Sequence, residues 1–363
     1  MGALNASDPA FPWHEALEPY DGSPPMPFDV GVEAAQRLRT MCEGLRRWQC
    51  HPYRRQDAAR PVLWSEGSTR LVDYRPEGGP PVVIVPSLIN RAYILDLLPD
   101  RSFLGALAEH GFRPLLLDWG TPGREEVDLD LEDYRYRRLT PALAIASVLG
   151  GGAPAMIGYC MGGTLAAQHL MAGAQASRLV TIGAPWDFNA STGNATLLRA
   201  MAVQMGAAKV RALIAGLRQA FGLVPVEVFQ HLFALVNPIQ VALKFRKFAT
   251  LDPTGDAARH FVALEDWLAD GVPMAAPAAE DLLVGWQLEG QVAARPGPVK
   301  VPCLVVSGRR DTIAPPPVAD PLAKALGASR HLCPDLGHVG MITGREAPAQ
   351  VWQPVVEFLR DSR

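Results

Sequence analysis

Cysteine is scarce in this chain, and what there is does not pair up. The five cysteines, Cys42, Cys50, Cys160, Cys303 and Cys333, are odd in number and irregularly spaced. That argues against a disulfide framework and for a reducing compartment. No pair of cysteines or histidines has the short spacing of a zinc site, so neither a metal nor a bound cofactor is expected. A strong charge of either sign is missing too. The formal net charge is −3, which gives no electrostatic case for nucleic acid or an anionic membrane. No apolar run approaches the ~20 residues of a membrane-spanning helix. The N-terminus is acidic and proline-rich where a secretory signal would be basic and then apolar. A soluble, cytoplasmic protein is expected. Internal repeats and low-complexity tracts are also absent. What is present is a chain of 363 residues, 48% hydrophobic and 20% charged, which is long for one domain but suits an α/β domain carrying an insertion.

Strand and helix patterns alternate through the first half. Pro61 to Tyr74 reads as a strand pair turning at Glu66-Gly67-Ser68, and Pro81 to Val85 as a buried parallel strand. Asp96 to His110 reads as a helix, Phe112 to Leu117 as a strand, Leu131 to Leu149 as a helix and Leu179 to Ile182 as a strand. That rhythm predicts a mostly parallel sheet with helices on both faces. Ahead of it, an extended arm leads into an amphipathic helix from Val30 to Trp48, expected to pack on the body. After Pro185 the rhythm stops. Helical patterns at Leu197 to Met205, Lys209 to Phe221 and Val226 to Val236 occur without a buried strand, among aromatics such as Phe229, Phe233, Trp267 and Trp286. Pro225, Pro238, Pro253, Pro273 and Pro277 break these patterns and read as hinges. The expected organisation is an N-terminal arm and helix (1–58), a first part of the core (59–184), a helical cap or lid (185–297) and a second part of the core (298–363).

The most informative stretch is Gly158-Tyr159-Cys160-Met161-Gly162-Gly163. Pro154 to Ile157 reads as a short buried strand before it, and Thr164 to Met171 as a helix after it. Between them lies G-x-C-x-G, the cysteine form of the nucleophile elbow, a sharp turn that lifts one side chain above the sheet. At Gly158 and Gly162 a side chain would collide with neighbouring backbone as the turn tightens. A buried structural cysteine is the plain alternative, and the context weighs against it. Elbow enzymes of the α/β-hydrolase type run nucleophile, acid, histidine along the chain. Val301 to Val306 is an apolar strand pattern that leads into Gly308-Arg309-Arg310-Asp311, and Arg330 to Cys333 reads as a last short strand before Gly337-His338-Val339-Gly340. Cys160, Asp311 and His338 therefore stand in the expected order. Asp187, after Ala184-Pro185-Trp186, is an alternative acid, because some elbow enzymes carry theirs on an earlier strand. Asp335 reads as a turn residue. His169 is expected to face the core or a neighbouring helix, His331 to be packed within the last strand, and Cys303 and Cys333 to be small core residues.

These segments resemble the poly(3-hydroxyalkanoate) synthases, in particular the short catalytic subunits of the two-component type. The likeness runs from Pro61 to Phe358. It rests on Leu88-Ile89-Asn90-Arg91-Ala92-Tyr93, Asp118-Trp119-Gly120-Thr121-Pro122, Leu131-Glu132-Asp133-Tyr134, the elbow, Gly308 to Pro316, and Gly337 to Gly340. It departs from the pattern at Met161 and over Val284 to Gly290, where the cap ends. The resemblance implies an α/β-hydrolase fold and a Cys160, Asp311, His338 triad. The triad would take acyl groups from (R)-3-hydroxyacyl-CoA and extend a polyester with release of CoA, which enters as part of the substrate. It also implies a second synthase subunit or a homodimer as partner, and a place at the surface of polyester granules. The oxyanion donors expected are the backbone N–H groups of Met161 and Leu88. A thiol hydrolase on the same triad, acting on polyester or acyl-CoA, and a granule-associated binding protein are the competing readings.

Overall fold

The computed structural model describes residues 27–190, 194–236, 238–290, 292 and 299–361; the arm expected before residue 27 lies outside them. Among the described residues ten strands run in chain order: β1 (Val62–Glu66), β2 (Thr69–Asp73), β3 (Pro81–Val85), β4 (Asp96–Leu98), β5 (Arg101–Ser102), β6 (Arg113–Asp118), β7 (Ala155–Tyr159), β8 (Arg178–Ile182), β9 (Cys303–Val306) and β10 (Arg330–Leu332). Eight of them form one sheet in the order β1-β2-β6-β3-β7-β8-β9-β10. β1 and β2 are antiparallel to their neighbours, and every pairing from β6 to β10 is parallel. The central strands show why. All five residues of β3 and all five of β7 are buried, as their unbroken apolar runs require when helices cover both faces. Each fully buried valine or isoleucine there contributes about 1.5–3 kcal/mol of transfer free energy. Two apolar clusters, one on each side of the sheet, make up the core.

The chain leaves β3 for β6 on one side, then crosses to β7 on the other. The order of strands reverses there, and in open α/β sheets the crevice beyond the carboxyl ends at such a point is where ligands bind. The loops after β3 and β7 both open onto it.

One predicted helix begins later than its apolar pattern suggests. Asp96 to Ser102 forms the small hairpin β4–β5, and the helix runs only over Phe103–Glu109. Pro99 and Asp100 turn the chain, and the Ser102 hydroxyl bonds Asp96 Oδ1 at 2.5 Å while accepting the Gly105 N–H at 2.8 Å. Ser102 is thus the N-cap, worth about 1 kcal/mol, and the start of the helix is fixed by it. Between Leu131 and Gly150 the helix is continuous but passes through a π segment at Tyr134–Leu139.

The cap segment is helical where described: Asn194–Met205, Ala207–Phe221, Val226–Val236, Gln240–Phe248, Asp256–Ala269 and Ala276–Glu280, then a π turn at Asp281–Trp286. Among the described residues its prolines lie between helices or in a first turn, where the lost N–H costs nothing. Phe229, Trp267 and Trp286 are buried. The helix Pro27–Gln49 and residues Ile239–Arg259 form a compact unit of their own. Within it the Trp48 and Phe245 rings pack at 5.7 Å, Gly44 lies against the Phe245 backbone, and His51 Nε2 meets the Pro253 carbonyl at 2.9 Å. No single helix among the described residues is long and apolar enough to cross a membrane.

Candidate active site

β7 ends at Tyr159 and the following helix, Met161–Met171, starts without a linker, so one residue must make the whole turn. That residue is Cys160, at φ 53° and ψ −131°, the only non-glycine residue with positive φ among those described. A conformation this strained persists only where surrounding contacts over-determine it. They do so here. The Cys160 N–H donates to the Ile182 carbonyl at 2.9 Å, and the Gly163 N–H closes the turn on the Cys160 carbonyl at 2.9 Å. A Cβ on Gly158 would lie 2.4 Å from the Gly163 Cα, and one on Gly162 would lie 2.1 Å from the Val85 carbonyl oxygen and 2.3 Å from that of Pro86. Gly162 thereby presses the elbow onto the end of β3.

Asp311 and His338 come from the loops after β9 and β10, and they meet. His338 Nδ1 is 2.7 Å from Asp311 Oδ2, and both side chains are buried. The other carboxylate oxygen, Oδ1, accepts the N–H groups of Ile313 and Ala314, each at 2.8 Å. Burial opposes the charge on Asp311, but His338 and those two N–H groups outweigh it and hold the carboxyl below its ordinary range. Burial likewise opposes charge on His338, yet Asp311 and Cys160 together raise the imidazole well above its usual value. The three groups predicted from chain order therefore sit as one electrostatic unit.

Other candidates fall elsewhere. Asp187 caps its own turn, accepting the Asn189 N–H at 3.0 Å. His169 is buried against the Leu131–Gly150 helix, 3.1 Å from Thr140 Oγ1, and burial followed by Arg135 pushes it down to about 4. Asp335 is exposed and pairs with Arg310. Cys303 is buried in β9, and burial pushes its thiol up to about 12. Two expectations fail. His331 is exposed and Cys333 lies beyond the strand and only partly buried. The reason is that β10 is three residues long and forms the edge of the sheet, so among the described residues it has a strand neighbour on one side only. Met161 and Leu88, the expected oxyanion donors, are both buried: Met161 is the first helical residue after Cys160, and Leu88 lies in the loop after β3. N–H groups in a first helical turn have no partner within the helix.

Tyr159 and Gly183 were not legible in the sequence. The Tyr159 ring packs against the His338 ring at 5.2 Å, and only its place beside Cys160 hinted at a role. Gly183 follows β8 at φ 59°, where an added Cβ would lie 3.0 Å from His338 Cε1 and 3.1 Å from Nδ1. Gly183→Ala should displace the imidazole and slow any reaction at Cys160 by about 10- to 100-fold. A turnover rate equal to wild type would remove Gly183 from the site.

The profile of the Alpha/beta hydrolase family matches residues 82–353, from β3 to the last helix. The chain belongs to the alpha/beta hydrolase family. The solved structure of a monoacylglycerol lipase from Paleococcus ferrophilus shares the hydrolase fold, with a TM-score of 0.50 and 16% identity over 80% of this chain and 98% of that one. Curated relatives are more specific. The chain is 28% identical to a poly(3-hydroxyalkanoate) polymerase subunit PhaC of Haloferax mediterranei, over 83% of this chain and 63% of that protein. It is 27% identical to the PhaC subunit of Haloarcula marismortui, over 82% and 66%. Against that of Allochromatium vinosum it is 24% identical over 83% and 88%. The chain thus spans just under two thirds of the length of the first two relatives.

Proposed function

We propose that this alpha/beta hydrolase is an acyltransferase that polymerises (R)-3-hydroxyacyl-CoA into polyhydroxyalkanoate through a thioester on Cys160. The carrying observation is a cysteine at the elbow, in front of the hydrogen-bonded His338–Asp311 pair. Similarity to PhaC polymerases over most of the chain supports the substrate class.

The chemistry favours sulfur. Cys160 Sγ attacks the thioester carbonyl carbon of the incoming acyl-CoA, and its proton passes to His338. The carbonyl oxygen becomes an oxyanion, which the N–H groups of Met161 and Leu88 stabilise. The C–S bond to CoA then breaks, and the proton on His338 goes to the departing CoA sulfur. Exchange between two thiols of similar leaving ability is nearly isoenergetic, so the acyl group stays activated. His338 next takes the proton of a 3-hydroxyl, whose oxygen attacks the enzyme thioester; an ester forms, and Cys160 recovers its proton. Asp311 holds the imidazole in the productive tautomer throughout. The apolar cap excludes water and so favours chain growth over hydrolysis. Exposed Leu213, Phe221 and Leu235 on cap helices suit a place at a polyester surface.

Incubating the purified protein with (R)-3-hydroxybutyryl-CoA, alone and with a candidate partner subunit, tests this reading. CoA release accompanied by polymer is expected. CoA release with free hydroxy acid instead would make the protein a thiol hydrolase, and no release under either condition would leave only a binding role.

A further inference from the structure

Beside the ends of β9 and β10 lies a second group of reactive side chains, one that the triad does not use. Ser307, wholly buried just after β9, sits at its base. Its hydroxyl is 2.5 Å from Asp320 Oδ1, 2.8 Å from His331 Nε2 and 3.6 Å from Cys333 Sγ. His331 Nε2 is in turn 3.2 Å from Asp320 Oδ1 and 3.5 Å from Cys333 Sγ. A serine, a histidine and an aspartate together suggest a second triad, but the geometry rules it out. Ser307 and Asp320 both meet Nε2, whereas an orienting acid must bind the opposite ring nitrogen.

We propose that Asp320, His331 and Cys333 form a binding site for a zinc-class divalent transition-metal ion. Their ligand atoms all lie within 4.8 Å of one another. Ligands held 2.0–2.3 Å from a tetrahedral zinc stand about 3.3–3.7 Å apart, close to the two His331 separations. The donor set of imidazole, thiolate and carboxylate suits zinc and its neighbours, not the hard cations calcium and magnesium. Charge balances as well. On binding, Cys333 gives up its thiol proton to solvent, Asp320 is ionised and His331 coordinates as neutral imidazole, so two negative ligands offset the dication. The buried Ser307 hydroxyl donates to Asp320 and fixes the carboxylate, the kind of outer support that metal ligands carry. Three protein ligands leave the fourth position to water, and the partial exposure of His331 and Asp320 gives the ion access.

The ligands come from three places: the turn between the helices Pro316–Ala319 and Pro321–Leu326, strand β10, and the segment just past it. Spacing along the chain therefore carries no zinc signature, because Asp320 is joined to the other two only by the fold. An ion here would clip the edge strand to the turn beside it, on the segments that follow Asp311 and lead to His338.

The test uses the full chain, stripped with a chelator and then titrated with Zn²⁺ by calorimetry and with Co²⁺ by absorption. One equivalent should bind, with a thiolate-to-cobalt charge-transfer band, and zinc should raise the thermal midpoint. Cys333→Ser should lose the band and weaken zinc binding by about 100-fold or more, and Asp320→Asn and His331→Gln by about 10-fold or more. Metal-free unfolding midpoints equal to wild type would show that these variants fold; Cys333→Ala provides a second removal of the thiol. Cys160 and His338 are also a thiol and an imidazole, so Cys160→Ala is titrated in parallel. A band retained in Cys160→Ala supports the proposal. A band retained in Cys333→Ser but lost in Cys160→Ala overturns it, as does equal zinc affinity in Cys333→Ser or no saturable binding by the wild type.

Discussion

Cys160→Ala should abolish CoA release, by roughly 10⁴-fold or more, while the protein remains folded. The side chain is small and its loss leaves the turn's backbone bonds in place, so the effect isolates the sulfur. Cys160→Ser should recover a trace at best, because a hydroxyl gives up its proton far less readily than a thiol. A third substitution separates strain from chemistry. The backbone at φ 53° costs any L-residue free energy that glycine does not pay. Cys160→Gly should therefore be as inactive as Cys160→Ala but about 1 kcal/mol more stable in denaturant titration. An alanine variant with half the wild-type rate would end the assignment of the nucleophile.

Asp311→Asn should lower turnover by about 10⁴-fold, because an amide at this place favours the wrong tautomer of His338. Asp187→Asn should change it little, since the Asp187 carboxylate is engaged by the Asn189 N–H of its own turn. The opposite ranking, measured as CoA release under identical conditions, would move the acid to the earlier strand. Stability offers an independent readout. His338 is raised in the folded state, chiefly against burial and by Asp311. A raised histidine adds stability that is fully present below its unfolded value near 6.5 and is lost as pH climbs through the folded value. The stability gap between wild type and Asp311→Asn should accordingly be wider at mildly acidic pH than at alkaline pH.

Much of this site was legible because chain order and turn chemistry are local signals. The elbow glycines are forced by contacts under 3 Å, so they appear in the sequence as a fixed spacing, and a carboxylate and a histidine after successive strands follow from one topology. What escaped depended on how elements pack. The hairpin over Asp96 to Ser102 hid inside a helical apolar pattern, because one serine bonding Asp96 and Gly105 decides where the helix begins. His331 and Cys333 looked like core residues because periodicity cannot tell an edge strand from a central one. The closeness of Tyr159 and Gly183 to His338 is set by ring packing and a positive φ, neither of which leaves a spacing to read.

The strand order also has a consequence in time. The thiol is placed by β7, but its imidazole waits on a loop that follows β10, and β8, β9 and β10 must add to the sheet in turn before the two can meet. A chain emerges from the ribosome N-terminus first. From the emergence of β7 until β10 docks it therefore carries an elbow cysteine with no base beside it, and Cys160 gains its imidazole only when the last strand docks.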